Sequence, residues 1–491
     1  MRGHMRIAFA VSEMTPFAKT GGLGDVGGAL PRVLAGMGHQ LIGFLPKYRV
    51  IDMEKHHLIK RPEEIRVPMG DRTEAASLWE ARRGDVRIIF LDHPGYYDRD
   101  GLYQENAEDH PDNAERFIFF SRGILEALRV LDWRPDVIHC NDWQTGLIPA
   151  YLKTVYRDDP FFAGMASLLT IHNLAYQGVF PAELFSLTGL PAEVFTPAGM
   201  EFWGRKNCLK AGLVYADILN TVSPKYAQEI QTPEHGCGLD GVLRQRAADL
   251  YGVLNGVDYD EWNPRTDPYI AAPYAAEDLT GKALCKRDLQ EVMALPARPD
   301  VPLLGVISRL AHHKGIDLVA EMAPQLLSHD VQLVLLGTGD VWLEQALLDL
   351  GRQFPDQMAV RTGFDVGLSH KIEAGADIFL MPSRDEPCGL NQMYSLAYGT
   401  IPVVRATGGL DDTIIPFDPG TGTGNGFKFH DANAGELLRA VLAAIRFFRQ
   451  PDAWVRLVQN AMAADYSWER SAKEYERLYR LALERRRESG P

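Results

Sequence analysis

Short apolar runs that alternate with longer amphipathic stretches constrain this chain more than any other feature, and the alternation happens twice. In the first half, residues 7–11, 40–45, 86–91, 136–140, 167–172 and 218–223 are nearly continuous hydrophobic runs. Runs of that length without a polar face fit strands buried on both sides, as in parallel sheets. Amphipathic stretches such as 25–37 and 113–131 lie between them. From 255 to 299 the pattern breaks into a segment rich in Pro, Asp and Tyr, with Asn263-Pro264 and Asp267-Pro268 as turn signals. It then restarts, with strand candidates at 303–308, 332–336, 358–361, 377–381 and 401–405 and helical stretches such as 316–327 and 437–449. The expectation is an α/β chain of two doubly wound domains, 1–258 and 259–464. A tail, 465–491, carries Ala472, Tyr475, Leu478, Tyr479 and Ala482 as one helical stripe that must dock somewhere.

The polar groups collect where those runs end. In open parallel sheets, ligands bind at the carboxyl ends of the strands. Arg309 and Lys314 follow the run 303–307 and form a cation pair suited to a diphosphate, the first by forked hydrogen bonds and the second as a point charge. The chain carries a formal net charge of -14, so an anionic ligand needs such a local cluster. Glu386 follows 378–381 just before a helical pattern, where a carboxylate can accept from sugar hydroxyls and helix N–H groups can take a phosphate. His172-Asn173-Leu174-Ala175-Tyr176-Gln177-Gly178 closes another run, and His139-Cys140-Asn141-Asp142-Trp143 a further one. Both are polar clusters able to meet a polyhydroxyl ligand.

Gly22-Leu23-Gly24-Asp25-Val26-Gly27 satisfies the dinucleotide-binding string GxGxxG. Ten residues separate it from its strand, however, and the second strand ends in Pro46-Lys47 rather than an acid. A flexible loop leading into a helix, with Lys19 just upstream, fits better. Its near-copy recurs as Thr407-Gly408-Gly409-Leu410-Asp411-Asp412. No GxxxxGK[ST], HExxH, CxxC or GxSxG string is present. The acidic balance speaks against nucleic-acid binding, and no run approaches the ~18 apolar residues of a membrane helix. Five cysteines, none in a CxxC pair, point to a reduced compartment and a cytoplasmic location.

Taken together, these strings resemble bacterial glycogen synthase and plant starch synthase. The resemblance runs from Met5 to the last helix and rests on Lys19-Thr20-Gly21-Gly22-Leu23, the 172–178 string, Leu254-Asn255-Gly256-Val257-Asp258, 308–315, 386–390, Tyr398-Gly399-Thr400, Thr407-Gly408-Gly409-Leu410 and Tyr466-Ser467-Trp468. It implies two Rossmann-like domains facing a deep cleft (the GT-B type), with the last helix returning to the first domain. It also implies transfer of glucose from ADP-glucose or UDP-glucose to the non-reducing end of an α-1,4-glucan, with retention and with neither metal nor cofactor; the alternative is a related retaining glycosyltransferase that uses UDP-glucose or another acceptor. Single-module length favours ADP-glucose by the same resemblance.

Carried over by position, His172, Arg309, Lys314 and Glu386 would be catalytic. Lys19, Gly21, Gly22, Asn255, Cys388, Gly389, Leu390, Thr407, Gly408 and Gly409 would surround the donor. Asp25, Asp142, Asn173 and Tyr176 would meet acceptor or sugar. Gln144 and Asp385 depart from the residues often found in the family. Retention admits double displacement, with Glu386 as nucleophile, or front-face attack, with Glu386 stabilising charge; the family favours the second.

Overall fold

The computed structural model describes residues 3–106 and 108–488. It divides into two compact units, one of Met1–Val222, Ala227–Gly256 and Trp468–Pro491, the other of Ser223–Tyr226 and Val257–Ser467.

The first unit is built on a nine-stranded sheet. Its order is Leu250–Gly252, Ile218–Thr221, Ala166–Ile171, Val137–Asn141, Arg6–Ala10, Gln40–Pro46, Val86–Asp92, Arg72–Arg83 and Ile59–Met69. The first seven run parallel and the last two pair antiparallel. All six apolar runs of the first half are strands, with ends shifted by one or two residues. The antiparallel pair lies in a stretch that showed no apolar run. Its outer strand, Ile59–Met69, is an edge with one wet face and contains Pro62 and Pro68, so it reads as a polar segment. The strand Arg6–Ala10 leads by Gly22–Gly36 to its neighbour on one side, and the chain later returns to place Val137–Asn141 on the other. The crevice beyond the carboxyl ends of these two strands is therefore the topological switch point.

The tail helix, Trp468–Glu488, belongs to this unit. Ala472, Tyr475, Leu478, Tyr479 and Ala482 are fully buried. Tyr479 Oη meets His139 Nδ1 at 2.8 Å, and His139 Nε2 meets Thr170 Oγ1 at 2.7 Å. His139 is thus spent on anchoring the helix. Its side chain is fully buried within the strand, which corrects its place in the strand-end cluster; only Asn141 and Asp142 remain there.

The second unit has a six-stranded, wholly parallel sheet in the order Met358–Thr362, Gln332–Gly339, Leu303–Leu310, Ile378–Met381, Ile401–Arg405 and Phe427–Phe429. Alternate residues feed two separate cores, one on each face. Leu304, Val306, Leu333, Leu335, Ile378 and Leu380 go to one; Leu303, Val334, Leu336 and Phe379 go to the other. That division is the period-two geometry of a strand covered on both sides. The switch point here lies between Leu303–Leu310 and Ile378–Met381. The irregular stretch after Val257 is pinned by Asp267, which accepts from His370 Nδ1 at 2.7 Å and from Tyr398 Oη. Among the described residues, no helix is long and apolar enough to cross a membrane.

Candidate active site

In the second unit, the two strands of the switch point deliver one salt bridge. Lys314 follows the strand Leu303–Leu310, and Glu386 follows Ile378–Met381. Lys314 Nζ lies 2.6 Å from Glu386 Oε2, with side chains 19% and 10% exposed. Ser383 Oγ donates to the same oxygen at 3.0 Å. An ammonium has three N–H donors, so two of Lys314's remain for a phosphate while one holds Glu386. Arg309, near the end of the strand Leu303–Leu310, is exposed, with Nη2 3.5 Å from His313 Nε2. A bidentate bridge from Arg384 to Asp317 at 2.6 and 2.7 Å ties the Glu386 loop to the helix Ile316–Leu326.

Glycines let the backbones close on this pair. Gly315 has φ 68°, and a Cβ there would meet the Pro382 carbonyl at 2.1 Å. Gly408 has φ 45°, and its Cβ would fall 2.0 Å from the Glu386 carbonyl. Gly409 N–H donates to the carbonyls of Glu386 and Pro387 at 3.2 and 3.0 Å. The 407–409 string therefore braces the Glu386 loop from behind, with Thr407 and Cys388 buried. Gly389, at φ 71°, and Leu390 turn the chain into a short helix, Asn391–Ala397.

In the first unit, the glycine-rich string is helical from Gly22 rather than a loop. Its later glycines serve close approach: a Cβ on Gly27 would meet the Glu13 carbonyl at 2.4 Å, and one on Gly24 would meet Lys19 at 2.8 Å. The hub is Glu13, three residues past the first strand. Its carboxylate accepts from Thr20 N at 2.6 Å, Thr20 Oγ1 at 2.7 Å, Gly21 N at 3.0 Å and Tyr103 Oη at 2.9 Å. The N–H groups of Thr20 and Gly21 are thus already held by an internal carboxylate. Lys19 Nζ pairs with Asp25 Oδ1 at 2.6 Å, which joins the expected donor-side cation to an expected acceptor-side acid.

Across the switch point, Asp142 sits at φ 56°, ψ -169°, a region that costs a non-glycine residue about 1–3 kcal/mol. Its carboxylate takes the backbone N–H of His172 at 2.7 Å, and that of Asn173 as well. Burial, opposed by these two hydrogen bonds, raises the Asp142 carboxyl to about 7. His172 Nε2 lies 2.9 Å from Asn141 Oδ1, and burial pushes this imidazole down to about 3. Asn173 Oδ1 accepts from Ala175 N at 2.9 Å, while Tyr176 is exposed. Asn255 lies just past the edge strand, two strands along from His172, with a buried Oδ1 that has no hydrogen-bond partner among the described residues.

The structure thus joins Lys314 to Glu386 with the 407–409 brace, Lys19 to Asp25, and His172 to Asp142. Sequence reasoning missed Glu13, Asn141 and Ser383 as holders of those groups. Phe364, two residues past the strand Met358–Thr362, is 89% exposed at the carboxyl end of the sheet. The strand-end rule that found Arg309 would have found Phe364. Among the described residues, no cluster of three or more His, Cys, Asp or Glu side chains is arranged to hold a metal ion.

Two family profiles match. Residues 6–245 match "Starch synthase catalytic domain", and residues 291–457 match "Glycosyl transferases group 1". Among curated proteins, glycogen synthase 1 of Geobacter metallireducens is 50% identical over 98% of this chain and 97% of its own. A glycogen synthase from an Anaeromyxobacter strain is 52% identical over 97% and 99%. The catalytic domain of starch synthase IV from Arabidopsis thaliana, solved with ADP and acarbose, superimposes with a TM-score of 0.90 at 33% identity, covering 98% of this chain and all of that one. A sucrose-phosphate synthase from Thermosynechococcus elongatus shares the fold at TM-score 0.60 and 17% identity.

Proposed function

Because the chain belongs to the family of bacterial glycogen synthases and plant starch synthases, we propose that its donor is ADP-glucose, that its acceptor is the non-reducing end of an α-1,4-glucan, and that protein cations rather than a metal neutralise the leaving diphosphate. The chain is a glycosyltransferase of the glycogen synthase type. The roles that follow are our assignment.

The Lys314–Glu386 pair at the second unit's switch point carries this reading. Breaking a glycosyl–phosphate bond leaves negative charge on a diphosphate oxygen and positive charge on the sugar ring. A fixed ammonium and a fixed carboxylate, 2.6 Å apart, supply one group for each. Arg309 adds the second cation. Glu386 Oε1, the oxygen that Lys314 and Ser383 leave, takes a glucose hydroxyl. With Oε2 engaged by both partners, Glu386 acts as a stabiliser, and transfer proceeds on the front face, the leaving phosphate taking the acceptor's proton. Phe364 offers an exposed aromatic face for the base. The Arabidopsis neighbour binds ADP, which is the product an ADP-glucose donor leaves. Residues on the first unit's switch point, Asp142, Asn173, Tyr176 and the Lys19–Asp25 pair, serve sugar and acceptor. A cytoplasmic location suits the absence of any disulfide among the five cysteines.

The test is labelled-glucose incorporation into glycogen by EDTA-treated protein, with ADP-glucose and UDP-glucose compared at equal concentration. The expected result is incorporation from ADP-glucose in preference to UDP-glucose, unchanged by EDTA. A preference for UDP-glucose, or activity that returns only with added divalent ion, overturns the respective assignment.

A further inference from the structure

Two side chains at the end of the strand Val137–Asn141 hold His172, and they hold different parts of it. Asp142 takes the main-chain N–H, and Asn141 takes the ring. The Asn141 amide has one possible orientation. Its Nδ2 lies 2.9 Å from the carbonyl oxygen of Ala10, which only accepts, so its oxygen faces His172 Nε2 at 2.9 Å. Asn141 is fully buried, and its main-chain N–H also donates to Thr145 Oγ1 at 2.7 Å. An amide oxygen is likewise an acceptor only, and the ring nitrogen opposite it must therefore carry a hydrogen. Among the described residues, the other ring nitrogen, Nδ1, has no hydrogen-bond partner.

We propose that Asn141 is a positioning residue for glucosyl transfer: it locks His172 in the Nε2–H tautomer, leaving Nδ1 as a lone-pair acceptor for a hydroxyl of a bound sugar. This rests on the glycosyltransferase reading of the site. A hydroxyl either donates or accepts, so the tautomer decides which way that hydrogen bond runs. With Nδ1 accepting, the hydroxyl oxygen becomes more electron-rich, which favours positive charge on the nearby sugar ring. The lock needs a neutral ring, and burial keeps His172 deprotonated well below neutrality. The titratable groups around it are His139, driven neutral by burial, Asp142, and Glu13, whose charge bears on Asp142.

Nitrogen NMR of protein labelled in histidine, with the signal assigned by His172→Gln, reads the tautomer without any turnover. The expected spectrum has His172 neutral and protonated at Nε2 across pH 5 to 8. Asn141→Asp keeps the acceptor but adds a charge, so it is expected to favour the imidazolium. Its kcat should fall as pH drops, by roughly 10–100-fold at the acid end, and recover as pH rises, while KM changes little. Asn141→Leu removes the acceptor and should give mixed tautomers and a pH-independent loss. A His172 found protonated at Nδ1, or an Asn141→Asp enzyme whose pH profile matches wild type, overturns the proposal. A wild-type enzyme that shows the Nε2–H tautomer but moves no glucose refutes the function and leaves the lock standing.

Discussion

Removing the Lys314 ammonium separates a structural salt bridge from a catalytic one. At 2.6 Å and an effective dielectric constant of about 20, the pair's gross Coulomb attraction is about 6 kcal/mol. Desolvation of both charges cancels most of that, and Glu386 keeps Ser383 at 3.0 Å, so Lys314→Ala should cost folding about 1–3 kcal/mol. The catalytic loss has another origin. A preorganised cation on a leaving diphosphate is worth roughly 3–4 kcal/mol, about 10²–10³-fold in kcat. The assay is single-turnover glucose transfer from ADP-glucose to glycogen, beside thermal unfolding of each variant. A second variant, Lys314→Ala with Glu386→Gln, decides the cause. Glu386→Gln alone is the reference for rate, since it removes the sugar-stabilising charge in either case. If Lys314 merely neutralises Glu386, the double variant regains stability and matches Glu386→Gln in rate. If Lys314 acts on the phosphate, stability recovers and the double variant stays about 10²–10³-fold below Glu386→Gln. A double variant equal in rate to Glu386→Gln, or a Lys314→Ala variant within about fivefold of wild type in kcat, refutes the phosphate role.

Phe364→Ala should raise the KM for ADP-glucose about tenfold, equivalent to the roughly 1–1.5 kcal/mol of an aromatic stack, with kcat nearly unchanged; a change confined to kcat counts against it. Gly408→Ala forces a Cβ toward the Glu386 carbonyl at 2.0 Å and should cut kcat more than tenfold while the Arg384–Asp317 bridge keeps the unit folded, as circular dichroism would report. The Asp142 carboxyl is held at about 7 against an ordinary 3.8. Between those values the native protein binds a proton that the unfolded chain has released, so this group makes stability fall as pH rises. Asp142→Asn should therefore flatten the decline in Tm between about pH 4 and 7; equal slopes in the two proteins would show that Asp142 is not the group responsible.

The sequence made some parts of this molecule legible and hid others. The apolar runs became strands because a strand covered on both faces leaves no polar positions, and both faces of the second sheet do feed cores. The antiparallel pair 59–83 was hidden because its outer strand is an edge with one wet face. Arg309, Lys314 and Glu386 stood out because they follow such runs, and Phe364 was equally placed but carries no charge to draw notice. His139 was misplaced among the strand-end groups because only the docked tail helix supplies the Tyr479 hydroxyl that claims it.

From its sequence alone, the chain was committed to two doubly wound α/β units with cations and a carboxylate at their strand ends, since hydrophobic periodicity and strand-end chemistry are local properties. Only the tertiary structure decided which of those groups meet. Lys314 and Glu386 are 72 residues apart, Glu13 turned out to hold the glycine loop, and Asn141 faces the ring of His172 across neighbouring strands. Such pairings depend on strand order and register, which are set by the packing of the whole sheet and by no single segment of the chain.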